Sequence, residues 1–194
     1  MIYVVYGKEE YLVDQKVKEL APTSINYDLE FDSLKDVLFD ASMMTLLGDK
    51  KYIVVNNPYF LSIAKEGDPV IDTSMLEDYL NNINPNTVLI FKYYKDKLME
   101  SKKITKLLKN KGVFYEFNKT NNLDIIKDKL DGFKIDKESI NILLDRVGDN
   151  TGILINEIEK LKTYKYDSKE ITKEDVLTIN KYEKIDFFKF IDHI

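Results

Sequence analysis

Few side chains in this sequence are equipped for covalent or acid–base chemistry. It has no cysteine and a single histidine, His193. Thiol nucleophiles, disulfides and Cys-ligated metals are therefore excluded, and a histidine triad or zinc site has too few ligands to be built. One loop invites a phosphate. Tyr6-Gly7-Lys8-Glu9-Glu10-Tyr11 follows an apolar strand pattern and opens a helical one. A P-loop there needs G-x-x-x-x-G-K-[ST], so that backbone N–H groups cradle phosphates and a hydroxyl holds Mg²⁺. Only one glycine is present, and Glu9 and Glu10 repel a triphosphate where a helix N-terminus should welcome it. As first-turn acids they complement the helix dipole instead. No cofactor or metal is expected.

Carboxylate pairs such as Asp28/Glu30 and Glu157/Glu159 have the right chemistry for proton transfer, but no base or metal ligand accompanies them. Glu30 and Asp32 flank Phe31 on one face of an expected edge strand, where acids ordinarily keep the edge soluble. Lys92-Tyr93-Tyr94-Lys95 has the composition of a stacking platform for single strands. A compact nucleic-acid binder usually presents a basic face, whereas the net charge here is −5. The lysines of residues 92–111 are interleaved with Asp96 and Glu100 and read as a solvated helix face.

The elements that must carry these groups alternate over the first 118 residues, as in a parallel sheet with crossovers. Strands are expected at residues 2–6, 27–31, 51–55, 87–91 and 113–117. Helices are expected at residues 9–20, from a capping box at Ser33-Leu-Lys-Asp36, from a second box at Ser74-Met-Leu-Glu77, and at residues 101–109. Residues 62–73 read as a loop. After Asn118 the pattern becomes helical, at residues 121–130, 136–147 and 151–164. A fourth helix is capped by Thr172 and Asp175 with an Ile171–Val176 staple. The chain is 194 residues long and 44% hydrophobic, enough for one ordinary domain and a small second one. No apolar run approaches the roughly 20 residues that span a bilayer. The N-terminus lacks a signal-peptide pattern, so a cytoplasmic location is expected. Phe187, Phe188, Phe190 and Ile191 begin a last apolar helix, which is expected to need a packing partner.

The most informative stretch runs from Asp40 to Val55. Met43, Met44, Leu46 and Leu47 fall where a helix ends, before Gly48-Asp49 and a β-branched strand. Gly48 suits a φ > 0 position past the helix. By pattern alone such residues pack inside. The sharper alternative is a partner-binding tip, since methionines suit adaptable surfaces.

Tyr6-Gly7-Lys8-Glu9-Glu10-Tyr11-Leu12 resembles the opening "YGEEEYL" of the delta subunit of the bacterial DNA polymerase III clamp loader. The stretch from Ser42 to Val55 resembles that family's "sLpLFgdrRlvvv". Further similarity lies in Asn84-Pro-Asn-Thr-Val-Leu-Ile-Phe91, in the lysines of residues 102–111, in residues 147–161 and in residues 171–176. The resemblance implies a AAA+/RecA-like α/β domain without a P-loop (residues 1–118), a helical lid (119–180) and the start of a C-terminal collar (181–194). It implies a non-catalytic subunit that binds a sliding clamp by an apolar wedge and opens the ring during DNA replication. Other clamp-loader subunits and primed DNA would be its partners, with no membrane involved. By motif the wedge falls on Met44, Leu46 and Leu47, with Met43 beside them. Leu47 stands where the family has phenylalanine, which implies a shallower anchor. The readings opposed to it are a nucleotide-hydrolysing AAA+ relative and a nucleic-acid-binding adaptor.

Overall fold

A computed structural model describes residues 1–45, 48–63, 70–118 and 121–179. The chain divides into two compact units, Met1–Lys119 and Thr120–Ile194.

The first unit is the expected α/β fold built on a parallel sheet. Its sheet contains β1 (Ile2–Gly7), β2 (Ile25–Asp28), β3 (Lys51–Asn56), β4 (Thr87–Tyr93) and β5 (Val113–Phe117). Every pairing is parallel, in the order β2-β3-β4-β1-β5. Parallel pairing requires crossovers, and these place helices on both faces. Along β1 the side chains alternate accordingly: Ile2, Val4 and Tyr6 join one buried cluster and Val5 the other. The first cluster also holds Leu34, Val37 and Leu38 of α2 (Leu34–Ser42), Leu76 and Leu80 of α3 (Ser74–Asn81), and Ile104 and Leu108 of α4 (Lys103–Lys111). The second packs Val13 and Val17 of α1 (Glu10–Leu20) against Val54, Val88 and Ile90.

Local differences from the sequence reading have simple causes. The edge strand β2 stops at Asp28, because the Phe31 and Asp32 amides both donate to the Asp28 carbonyl and Asp32 Oδ2 accepts from the Asp28 amide at 2.7 Å. Glu30 and Asp32 therefore lie in a turn, not on a strand face. Ser33 caps α2 as expected, its Oγ accepting from the Asp36 amide at 3.1 Å. The second box does not form. Thr73 precedes α3 without a side-chain cap, and Asp72 Oδ1 takes the Ser74 amide at 2.9 Å. Helix α4 begins two residues later than expected.

The second unit contains α5 (Asn122–Lys129), α6 (Lys137–Val147), α7 (Thr151–Tyr164) and α8 (Lys173–Ile179) around Leu143, Leu154, Ile158 and Leu161. Thr172 opens α8, its amide and hydroxyl both donating to Asp175 Oδ2 at 2.8 and 2.9 Å. Ile171 and Val176 are both buried in that same cluster. A two-residue parallel ribbon, β6 (Lys134–Ile135) with β7 (Glu170–Ile171), adds a feature the helical pattern did not announce. The expected apolar helix at residues 186–194 lies outside the described residues. Among the described residues no helix is long and apolar enough to cross a membrane.

Candidate functional site: a closed phosphate loop and an exposed helix end

The loop after β1 is held shut by the chain itself. Gly7 has φ +152°, and a Cβ there would sit 2.2 Å from the Phe117 carbonyl oxygen. The Glu9 amide donates to that oxygen at 3.0 Å, and the Lys8 amide donates to Asn118 Oδ1 at 3.2 Å. These are the donors a phosphate would have needed. Lys8 Nζ turns to Asp96 at 3.3 Å. A hollow of about 430 Å³ beside the loop is lined by Lys8, Asp96, Lys97, Glu116 and Asn118.

Charge completes the closure. The hydrogen bond from Tyr6 (2.7 Å), followed by that from Asn118, holds the Glu116 carboxyl below its ordinary range. The Lys8 contact does the same for Asp96. Burial, then Glu116, raises the Tyr6 phenol, which stays protonated and donating. Two ionised carboxylates thus face the hollow at neutral pH. The residues present do not fit a nucleotide triphosphate.

The other candidates resolve into structural roles. Tyr93 is buried with its hydroxyl 2.8 Å from Ser62 Oγ, and the Tyr94 hydroxyl donates to Asp14 at 2.6 Å, so neither ring is a free platform. On α4, Lys103 pairs with Glu77 and Lys109 with Glu100. Glu157 is buried against Lys160, and Glu159 pairs with Lys162. Among the described residues no group of His, Cys, Asp or Glu could hold a metal.

Met43 and Met44 lie at the opposite end of the sheet. Helix α2 runs back along the strands and ends at Ser42, with Met43 as its extended C-cap residue. A helix C-terminus leaves carbonyls needing donors, and the starts of β3 and β4 supply them. Lys51 Nζ donates to Asp40 O and to Asp40 Oδ1, both at 2.8 Å. Thr87 Oγ1 donates to Ala41 O at 2.8 Å. Asn84 Nδ2 reaches the carbonyls of Ala41, Ser42 and Met43 at 3.3–3.4 Å. Beyond this anchored end Met43 is 46% and Met44 84% exposed. Leu46 and Leu47 lie outside the described residues. Gly48 has φ +72°, but it closes a turn onto the Thr45 carbonyl rather than the helix itself. The anchoring trio was not singled out from sequence. The signal was available: a lysine opening the next strand and an Asn-Pro-Asn-Thr before another are donors placed beside a helix end that lacks a basic last turn.

A family model described as DNA polymerase III, delta subunit, matches residues 3–118. The DNA polymerase III subunit delta of Bacillus subtilis is 30% identical over 191 residues, spanning 90% of this chain and 55% of that protein. The solved structure of the DNA clamp loader delta protein of Bacillus subtilis superposes with a TM-score of 0.76 at 30% identity, over 92% of this chain and 57% of that one. A RuvB variant of Thermotoga maritima superposes with a TM-score of 0.47 at 16% identity, over 92% of this chain and 60% of that one. The chain thus spans little more than half the length of the two delta proteins.

Proposed function

This chain belongs to the DNA polymerase III delta subunit family, and from that premise we propose that it binds the sliding clamp and opens the ring for loading during replication. The contact is the apolar tip formed by Met44, Leu46 and Leu47 with Met43 beside them. The observation that carries this reading is the exposure of Met44 at a helix end whose carbonyls are already satisfied. Apolar side chains held in water on a fixed base are the composition of a hot spot. Fully burying a side chain of this size stabilises a contact by roughly 1.5–3 kcal/mol. Such energy opens a ring only if it is realised preferentially in the open state.

The chain itself does not hydrolyse ATP in this reading, which the closed Gly7 loop supports. Steady ATP turnover by the pure protein would overturn that part. The second unit serves as the lid and residues 181–194 begin the collar. Other clamp-loader subunits and primed DNA are the remaining partners, in the cytoplasm.

The test is equilibrium binding of this chain to the sliding clamp of its own organism, beside Leu46→Ala/Leu47→Ala. Removing two such side chains should weaken binding by at least about a hundredfold, from roughly 1.5 kcal/mol or more for each. Unchanged circular dichroism would show the fold intact. Binding indifferent to the double substitution sinks the wedge.

A further inference from the structure

Methionine is ordinarily among the most buried residues, yet none of the five in this chain is buried. Met44 is the most exposed at 84%, followed by Met1 at 59%, Met43 at 46% and Met75 at 43%, with Met99 half-buried. The Met1 sulfur is engaged, accepting from the Tyr3 hydroxyl at 2.7 Å. No cysteine competes for oxidant. The most exposed methionine therefore stands on the tip, and the helix end before it is held by Asn84, Thr87 and Lys51.

Resting on the clamp-binding reading above, we propose that Met44, with Met43 second, is a reversible oxidation site that switches this surface off. A hydroperoxide is the oxidant. The Met44 thioether sulfur attacks one oxygen of hydrogen peroxide, a sulfur–oxygen bond forms as the O–O bond breaks, and the leaving hydroxide takes the proton from the transferred oxygen. The sulfur loses two electrons to become the sulfoxide, and hydrogen peroxide is reduced to water. The product is polar and chiral where the thioether was apolar. A sulfoxide oxygen driven into an apolar pocket loses its water hydrogen bonds without replacement. Methionine sulfoxide reductases return the thioether, with a dithiol supplying the two electrons.

The experiment treats the whole chain with graded hydrogen peroxide. It follows the gain of about 16 Da at each methionine by peptide mass spectrometry, and measures clamp affinity on the same samples. The expected result is that Met44 oxidises first and Kd rises at least tenfold, about 1.4 kcal/mol. A mixture of both sulfoxide reductases then restores binding. In Met43→Leu/Met44→Leu the ratio of treated to untreated affinity stays near one, whatever the untreated value. Faster oxidation at Met75 or Met99 than at Met44 overturns the proposal. So does complete Met44 oxidation with Kd changed by less than about twofold. Failure of the untreated chain to bind removes the clamp reading and this inference together, whereas the mass spectra report the order of oxidation independently.

Discussion

Replacing Gly7 by alanine asks directly whether the loop after β1 is closed onto β5. The added Cβ would meet the Phe117 carbonyl oxygen at 2.2 Å, its carbon at 2.5 Å and its Cα at 2.8 Å, all of them backbone. No side-chain rotation relieves that, so the loop must move from β5. It would forfeit the Glu9 N–H to Phe117 bond and the Lys8 N–H to Asn118 bond, each about 0.5–1.5 kcal/mol net. A φ of +152° adds about 1–3 kcal/mol of strain for a residue with a Cβ. The sum is about 2–6 kcal/mol. Gly48→Ala is the control within the same unit, since Gly48 has φ +72° but nothing within 4 Å of its Cβ position. It should cost only the left-handed penalty, about 1–2 kcal/mol. Urea unfolding followed by far-UV circular dichroism would give the two values. Because the two units can unfold separately, hydrogen exchange of the β1 and β5 amides locates the loss. If the two substitutions cost the same, within about 0.5 kcal/mol, the close approach to Phe117 is wrong and the loop is free to receive a ligand.

Two further outcomes test the tip and the helical unit. Thr87→Val keeps the buried shape but removes the donor to Ala41 O; we expect about 1–2 kcal/mol of destabilisation, weaker clamp binding through a displaced tip, and no such cap if the thermal midpoint does not move. Asp175 is raised by burial, but the Thr172 amide and hydroxyl and the Lys165 ammonium outweigh this and hold its pKa below the ordinary carboxylate value. Its contribution is present in full above the unfolded-state value near 4 and is lost as pH falls through the lower folded value. Acid unfolding of the second unit should therefore steepen below about pH 4 in the wild type, and an Asp175→Asn variant with the same acid profile would refute the assignment.

The parallel sheet was legible because its strands are short apolar runs punctuated by Gly7, Asn56-Asn57-Pro58 and Gly112, and because strand and helix periods alternate. Ser33 and Thr172 were legible as caps because local sequence decides them. Ser74 misled for the opposite reason. Asp72, two residues earlier, competes for the same amide, and an Asx turn wins over the box. The end of β2 was misplaced because Leu29 and Phe31 continue the apolar alternation while the carboxylate of Asp32 folds the chain back. Exposure of the tip could not be read at all. Met43 and Met44 have core chemistry, and only the positions of Lys51, Asn84 and Thr87, 7 to 44 residues away in sequence, fix the helix end beside them.

Those positions place the two features at opposite edges of one sheet. In open parallel sheets ligands gather at the C-terminal ends of the strands, where helix N-termini offer N–H groups and positive potential. Here that edge is filled: Phe117 O and Asn118 Oδ1 take the amides, and Asp96 and Glu116 bring negative charge. The opposite edge receives a helix C-terminus, whose carbonyls and negative potential would ordinarily suit a cation or water. Lys51, Thr87 and Asn84 consume both the carbonyls and the charge. Among the described residues, Met43 and Met44 stand exposed beside that satisfied end. A residue that docks needs a rigid base more than a reactive neighbour, and the base is the start of β4, flanked by strands on both sides and buried along nearly its whole length.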